Sequence, residues 1–307
     1  MTGRIVIGTR GSALALAQTR WVAAQLEAAH PGLETAIEII RTKGDEVRDR
    51  PLSQVGGKGL FTKELEVALT DEAIDVAVHS LKDLPTELPG GLMLGAVPPR
   101  EDPRDALICT RFESVDDLPD GATVGTSSLR RQAQLRAIRP GLVIHDLRGN
   151  IDTRIQQVTG GKLDAVFLAA AGLRRLGRAD AIREAIAPIR MLPAPAQGAL
   201  GLEIRADDIE RSSLLTAIAD RDAMLAVTAE RTLLAGLEGG CSVPIGALAV
   251  IEGDTLTLDA CVAAVDGSQI LRTRESGPKD DALRIGERAA ASLLAAGAAT
   301  LISASRA

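Results

Sequence analysis

A short apolar run that stops at glycine, passes through a hydroxyl-rich turn and opens a helical pattern occurs twice in this chain. This repeat restricts the fold more than any other feature. In the first copy Arg4 to Ile7 runs into Gly8, and Ser12 opens ALALAQTRWVAAQLEAAH, which closes at Pro31 and Gly32. A strand at 35–41, a helix near 62–69 and a strand at 75–79 follow, and such alternation implies a parallel sheet with helices on its faces. Pro85, Pro89, Pro98, Pro99 and Pro103 then mark a boundary near residue 100. Beyond it ATVGTSSLRRQAQL at 122–135 resembles IVIGTRGSALALAQ at 5–18, and LDAVFLAAAGLRRL at 163–176 resembles IDVAVHSLKDLP at 74–85, each with an Asp ahead of an apolar strand. Whether by duplication or as a common way of building α/β units, two similar α/β domains result. A cleft is expected at the carboxyl ends of their strands, where glycine turns and helix N-termini collect.

MLPAPAQGAL at 191–200 is a second proline-rich junction. From 221 to 307 the sequence reads as a helix to about Leu237, strands near 247–250 and 255–265, hairpin signals at Glu252-Gly253-Asp254 and Asp266-Gly267, and an Ala-rich helix from about Asp280. That is a small antiparallel sheet with helices. A length of 307 residues suits two or three domains. The opening MTGRIVIGTRG lacks the apolar run of a signal peptide and the segment from Ala289 to Ile302 is too short to span a bilayer, so no membrane association and a cytoplasmic location are expected. A net charge of −6, with one Trp, three Phe and no Tyr, disfavours nucleic acid as a partner.

The basic residues cluster beside Gly, Ser and Thr, which points to a small, multiply anionic ligand. The turns Gly8-Thr9-Arg10-Gly11-Ser12 and Gly125-Thr126-Ser127-Ser128 offer backbone N–H groups at a helix N-terminus, hydroxyls and a nearby Arg; the plainer reading is that Ser12 and Ser128 simply cap their helices. Arg130 and Arg131 stand in a first helical turn, where positive charge opposes the macrodipole by up to ~1 kcal/mol, so an anionic partner is expected. Arg148 and Arg154 add two guanidinium forks suited to carboxylate or phosphate. Gly56-Gly57-Lys58-Gly59 departs from the phosphate-binding Gly-x4-Gly-Lys-Ser/Thr pattern, leaving Lys58 as an anion contact or the glycines as a simple turn. His79-Ser80-Leu81-Lys82-Asp83 follows a strand; Asp83 is a candidate acid or base or a turn cap before Pro85, and His79 reads as a buried, hydrogen-bonded residue. Three widely spaced His and three cysteines without a Cys-x-x-Cys pair give no metal site and no disulfide framework. Cys109 and Cys261 lie in apolar strands as small core residues, whereas Cys241 sits in the glycine-flexed LEGGCSVP, as an exposed nucleophile or a passive thiol.

GTRGSALALAQ, VGGKGLFTKELE, VHSLKDLP, REDPRDAL, GTSSLRRQAQL, LRGNIDTR, AGLRRLG and LEGGCSVPIG together resemble the hydroxymethylbilane synthase (porphobilinogen deaminase) family, in collinear order from residue 4 to beyond 270. The resemblance implies a monomeric transferase that deaminates porphobilinogen and adds four such units head to tail before water releases the product. It implies a covalent dipyrromethane cofactor on Cys241 through a thioether, and Asp83 as the catalytic carboxylate. Lys82, Ser128, Arg130, Arg131 and Arg148 become cofactor ligands, Arg10, Ser12 and Arg154 substrate ligands, and Lys58 and Phe61 members of an active-site loop. The implied fold is α/β with two domains like those of periplasmic binding proteins around a cleft, covering 1–98 with 199–216 and 104–192, plus a small α+β C-terminal domain at 221–307.

Some relatives carry a lysine two residues before the Gly-Gly-Lys of the loop, where this chain has Gln54, and no role transfers to that position. A non-catalytic two-domain binding protein for a multiply anionic ligand is the rival reading. It accounts for the basic turns but gives Cys241 and Asp83 no task. A phosphotransferase lacks its phosphate-binding motif.

Overall fold

The computed structural model describes residues 3–42, 44, 59–238 and 243–306. Contacts divide the chain into two units: Met1–Glu101 with Ala199–Met224, and Asp102–Gly198 with Leu225–Ala307.

In the first unit, β1 (Gly3–Thr9), α1 (Ala13–Ala29), β2 (Leu33–Ile39), α2 (Lys63–Thr70), β3 (Val76–Ser80) and β4 (Leu92–Ala96) follow one another as the alternation predicts. β1 lies parallel to β2 and β3, and β10 (Leu200–Arg205) returns antiparallel between β3 and β4, giving the order β2-β1-β3-β10-β4. Ile5, Ile7, Val76, Val78, Leu202 and Ile204 pack with Val22 and Leu26 of α1, while Leu65 and Leu69 of α2 cover Ile74 and Ala77. The apolar spacing of both helices thus selects their buried sides.

The second unit contains β5 (Asp105–Cys109), β6 (Thr123–Gly125), α3 (Leu129–Ile138), β7 (Val143–His145), α4 (Ile151–Thr159), β8 (Ala165–Ala169), α5 (Ala170–Arg175) and β9 (Glu184–Ala185). Its sheet runs β7-β6-β8-β5-β9, with β6 parallel to β7 and β8 and with β5 antiparallel to β8. The likeness read from sequence extends to single hydrogen bonds. The N–H of Asp75 donates to the carbonyl of Val6 while its carboxylate accepts from the N–H of Val6 at 2.7 Å; Asp164 makes the same pair with Thr123, also at 2.7 Å to the carboxylate. The residue before each aspartate, Ile74 or Leu163, lies over the glycine that ends the first strand. A Cβ on Gly8 would fall well inside contact with Ile74, and one on Gly125 would sit 2.6 Å from Leu163 and 2.9 Å from Leu147. A side chain at either glycine would make these neighbouring methyl groups shift.

Later in the same unit β11 (Ile245–Glu252), β12 (Thr255–Ala263) and β13 (Ile270–Pro278) form an antiparallel meander whose turns coincide with the two expected hairpins. Its own core joins Ile245, Leu256, Leu258 and Val262 to Ala229 and Leu233 of the helix Arg221–Gly236 and to Ile285 and Leu293 of the C-terminal helix Ala282–Ala295. The Ala-rich tail reads as one helix but forms two, because the chain turns at Gly297 (φ 99°) before a last helix, Ala298–Arg306. The α/β class with a small third sheet agrees with the sequence reading. Among the described residues no single helix is long and apolar enough to cross a membrane.

Candidate active site

The first glycine turn and the turn after β3 meet in the first unit. They line a pocket of about 70 Å³ with Arg10, Ser12, Gln18, Phe61, Thr62, His79, Ser80 and Asp83. Ser12 caps α1, its hydroxyl accepting from the N–H of Ala15 at 3.2 Å, so the capping reading of this serine holds while its neighbours face the pocket. The guanidinium of Arg10 stacks on the ring of Phe61 at 4.0 Å, which keeps a cation at the pocket wall. Gln18, buried in α1, donates to the Ser80 hydroxyl at 2.8 Å and anchors the start of the Ser80–Asp83 turn, in which Leu81 is fully buried while Lys82 and Asp83 remain partly accessible. His79 is buried and its Nε2 lies 2.9 Å from Glu203 of β10, as expected of a satisfied interior histidine. A wider groove of about 690 Å³ beside Trp21, Pro99 and Asp220 holds none of the sequence-predicted residues.

The second glycine turn is built differently. Ser128 caps α3 by accepting from the N–H of Arg131, and both arginines of that first turn point inward. Arg130 Nη1 donates to Asp105 at 2.5 Å and to the Leu192 carbonyl at 2.7 Å; Arg131 Nε donates to Asp105 at 2.9 Å and its Nη1 to the Phe167 carbonyl at 2.8 Å. The anionic partner expected from the helix position is therefore an internal carboxylate, to which Gln197 also donates at 3.0 Å. Burial by itself raises the Asp105 carboxyl, but the two guanidiniums and these hydrogen bonds hold it well below the usual carboxylate range. Arg154 is the contrasting case: burial, with Arg131 and Arg148 adding positive charge, brings it down to about 10. Mutual repulsion of this kind is what a bound polycarboxylate relieves.

A family model described as porphobilinogen deaminase, dipyromethane cofactor binding domain, matches residues 5–213, and one described as porphobilinogen deaminase, C-terminal domain, matches residues 224–295. A porphobilinogen deaminase from Syntrophobacter fumaroxidans is 48% identical over 303 residues, covering 98% of each chain. The chain belongs to the porphobilinogen deaminase family. It is a transferase of tetrapyrrole biosynthesis that assembles hydroxymethylbilane from porphobilinogen on a dipyrromethane cofactor. Among solved structures, a YaeC-family lipoprotein from Enterococcus faecalis covers 72% of this chain and 93% of its own at 15% identity and a TM-score of 0.42. The periplasmic VFT2 domain of Bordetella pertussis BvgS covers 75% and 91% at 16% identity and 0.41. Both likenesses are slight, and the reading of this deaminase rests on its own sheets and on the family match.

Lys58, Gln54 and Cys241 lie outside the described residues. Cys109 and Cys261 are buried, and burial pushes the Cys261 thiol up, away from nucleophilic use. Sequence reasoning passed over Asp105, Gln18, Glu66 and Glu203. Two of them had a signal: Asp105 opens the apolar strand DALIC and Glu203 interrupts LGLEIR, and a carboxylate in a wholly buried strand requires a partner.

Proposed function

We propose that Asp83 is the catalytic carboxylate of this deaminase and Cys241 the residue that carries the dipyrromethane. Arg10 and Ser12 take the carboxylates of the incoming pyrrole, Arg148, Arg154 and Ser128 take those of the held chain, and Lys82 assists beside Asp83. The observation that carries this reading is the meeting of Asp83 with Arg10 and Ser12 in one pocket, from separate parts of the chain. An anion-binding wall next to a carboxylate orients an acidic substrate whose aminomethyl nitrogen must leave with a proton. Asp83 is placed to hand over or hold that proton and to stabilise the cation left behind. Arg130 and Arg131, bound to Asp105, offer the cofactor the N–H donors those bonds leave over. When bound, the dipyrromethane supplies the carbon nucleophile to which units are added. Lys58 and Phe61 are assigned to an active-site loop, and Phe61 lines the pocket. The division into 1–98 with 199–216, 104–192 and 221–307, the monomeric state, the cytoplasmic location and the absence of nucleic-acid or membrane partners complete the proposal.

The decisive experiment is the intact mass of the purified protein beside its Cys241→Ser variant. An adduct of two pyrrole units in the first and none in the second is the expected result. A wild type that stays unmodified after incubation with porphobilinogen overturns the assignment and favours the binding-protein reading.

A further inference from the structure

Behind the pocket three acid–base groups are sealed from water. His79 stands on β3 and Glu203 on the adjacent β10, where Glu203 is in register with Ala77 and Gly201 with His79, so the two side chains are diagonal neighbours on one sheet face. Helix α2 covers that face and turns Glu66 inward, leaving Glu203 with no exposure, His79 with 5% and Glu66 with 9%. Oε1 of Glu203 is buried here without a hydrogen-bond partner, and Thr62, the residue that precedes α2, also lines the pocket. An orphaned carboxylate oxygen forfeits its hydration with no hydrogen bond in return. An apolar pair would seal the sheet more cheaply, so stability does not account for the cluster.

We propose that His79 is a positioning residue for the deaminase reaction, its imidazole gripped by Glu203 and overlooked by Glu66 so that this buried cluster fixes the Ser80–Asp83 turn and sets the electrostatics of the pocket. His79 immediately precedes that turn and lines the same pocket as Asp83. Burial raises the Glu66 carboxyl, with the Thr62 hydroxyl opposing the rise and the Glu203 carboxylate adding to it. The other charged groups around it are Glu64 on α2, Arg205 on β10, tied to Asp208 at 2.9 Å, and Arg10 and Asp83 at the pocket.

The inference rests on the family reaction, and its test separates the two. Wild type, Glu203→Gln and His79→Gln are first shown by intact mass to carry the two-pyrrole adduct, and kcat and KM for porphobilinogen are then measured separately. Removing the carboxylate that grips the imidazole frees the Ser80–Asp83 turn without touching the substrate's carboxylate contacts, so Glu203→Gln is expected to lower kcat roughly tenfold with KM little changed. His79→Gln is expected to lower kcat at least as far, again with KM little changed. Glu66→Gln, at the rim of the cluster, gives a smaller loss of kcat and serves where Glu203→Gln does not fold. A kcat equal to that of an active wild type, with only the melting temperature lowered, overturns the proposal; failure of the family reaction shows instead as a wild type without adduct or product.

Discussion

The two α/β sheets are near copies in plan and opposites in use. Both place a glycine at the end of the first strand under an aliphatic residue, and both tie an aspartate back to that strand with the same pair of hydrogen bonds. Yet in the first sheet the strand β3 runs into Ser80, Lys82 and Asp83, whereas its counterpart β8 runs into the buried Ala170, Ala171 and Gly172. Each antiparallel fourth strand also carries a fully buried carboxylate, at a different register: Glu203 holds an imidazole and Asp105 holds two guanidiniums. A shared backbone therefore fixes where a turn stands and leaves its chemistry to the side chains placed there. On the proposed assignment the first unit carries the reactive carboxylate, while the second manages buried positive charge.

This contrast can be broken at four places. Asp83→Asn should leave folding and cofactor attachment intact while lowering kcat by roughly 10²–10⁴, the range for loss of a proton-transferring group; turnover near wild type ends its assigned role. In the second unit the largest effect is on stability. Asp105→Asn leaves two buried guanidiniums without their carboxylate and should cost about 3–5 kcal/mol in urea unfolding. Because the Asp105 carboxyl is held low in the folded state, its contribution is complete above the ordinary carboxylate pKa of about 4 and is lost as pH falls below it, so the variant should show a flatter stability profile on the acid side.

Smaller differences test the backbone equivalence. Gly125→Ala meets both Leu163 and Leu147, while Gly8→Ala chiefly meets the flexible end of Ile74. Both should destabilise, within about 1–3 kcal/mol, with Gly125→Ala the worse; the reverse order in denaturant titrations contradicts the packing argument. Arg154→Gln should act with opposite signs on stability and function. Relief of its repulsion with Arg131 and Arg148 raises the melting temperature of cofactor-free protein by about 2–4 °C, as read by calorimetry, while KM for porphobilinogen increases. A lowered melting temperature there denies the cluster its strain.

The strands and helices of the first unit and the two hairpins were legible because period-2 and period-3.6 patterns with glycine and proline punctuation are local signals, whereas the return segment after residue 199 came only from the family resemblance. Partner choice is not local. Arg130 and Arg131 announced an anion through their place in a first helical turn, but only the fold brings Asp105, 25 positions away along the chain, to meet them. The same holds for His79 and Glu203, separated by 124 positions. The Ala-rich tail misled as a single helix because propensity alone cannot tell where Gly297 takes up a positive φ.

The insertion of β10 between β3 and β4 has a consequence for the order in which the protein matures. The strand that fills the gap in the first sheet is not made until residue 205, after every strand of the second α/β sheet has been synthesised. During translation the N-terminal hundred residues emerge with two strand edges unpaired, and the second sheet completes itself ahead of them. The part of the molecule translated first is thus among the last to close, and the pocket with Asp83 takes its final form only when the chain has doubled back to it.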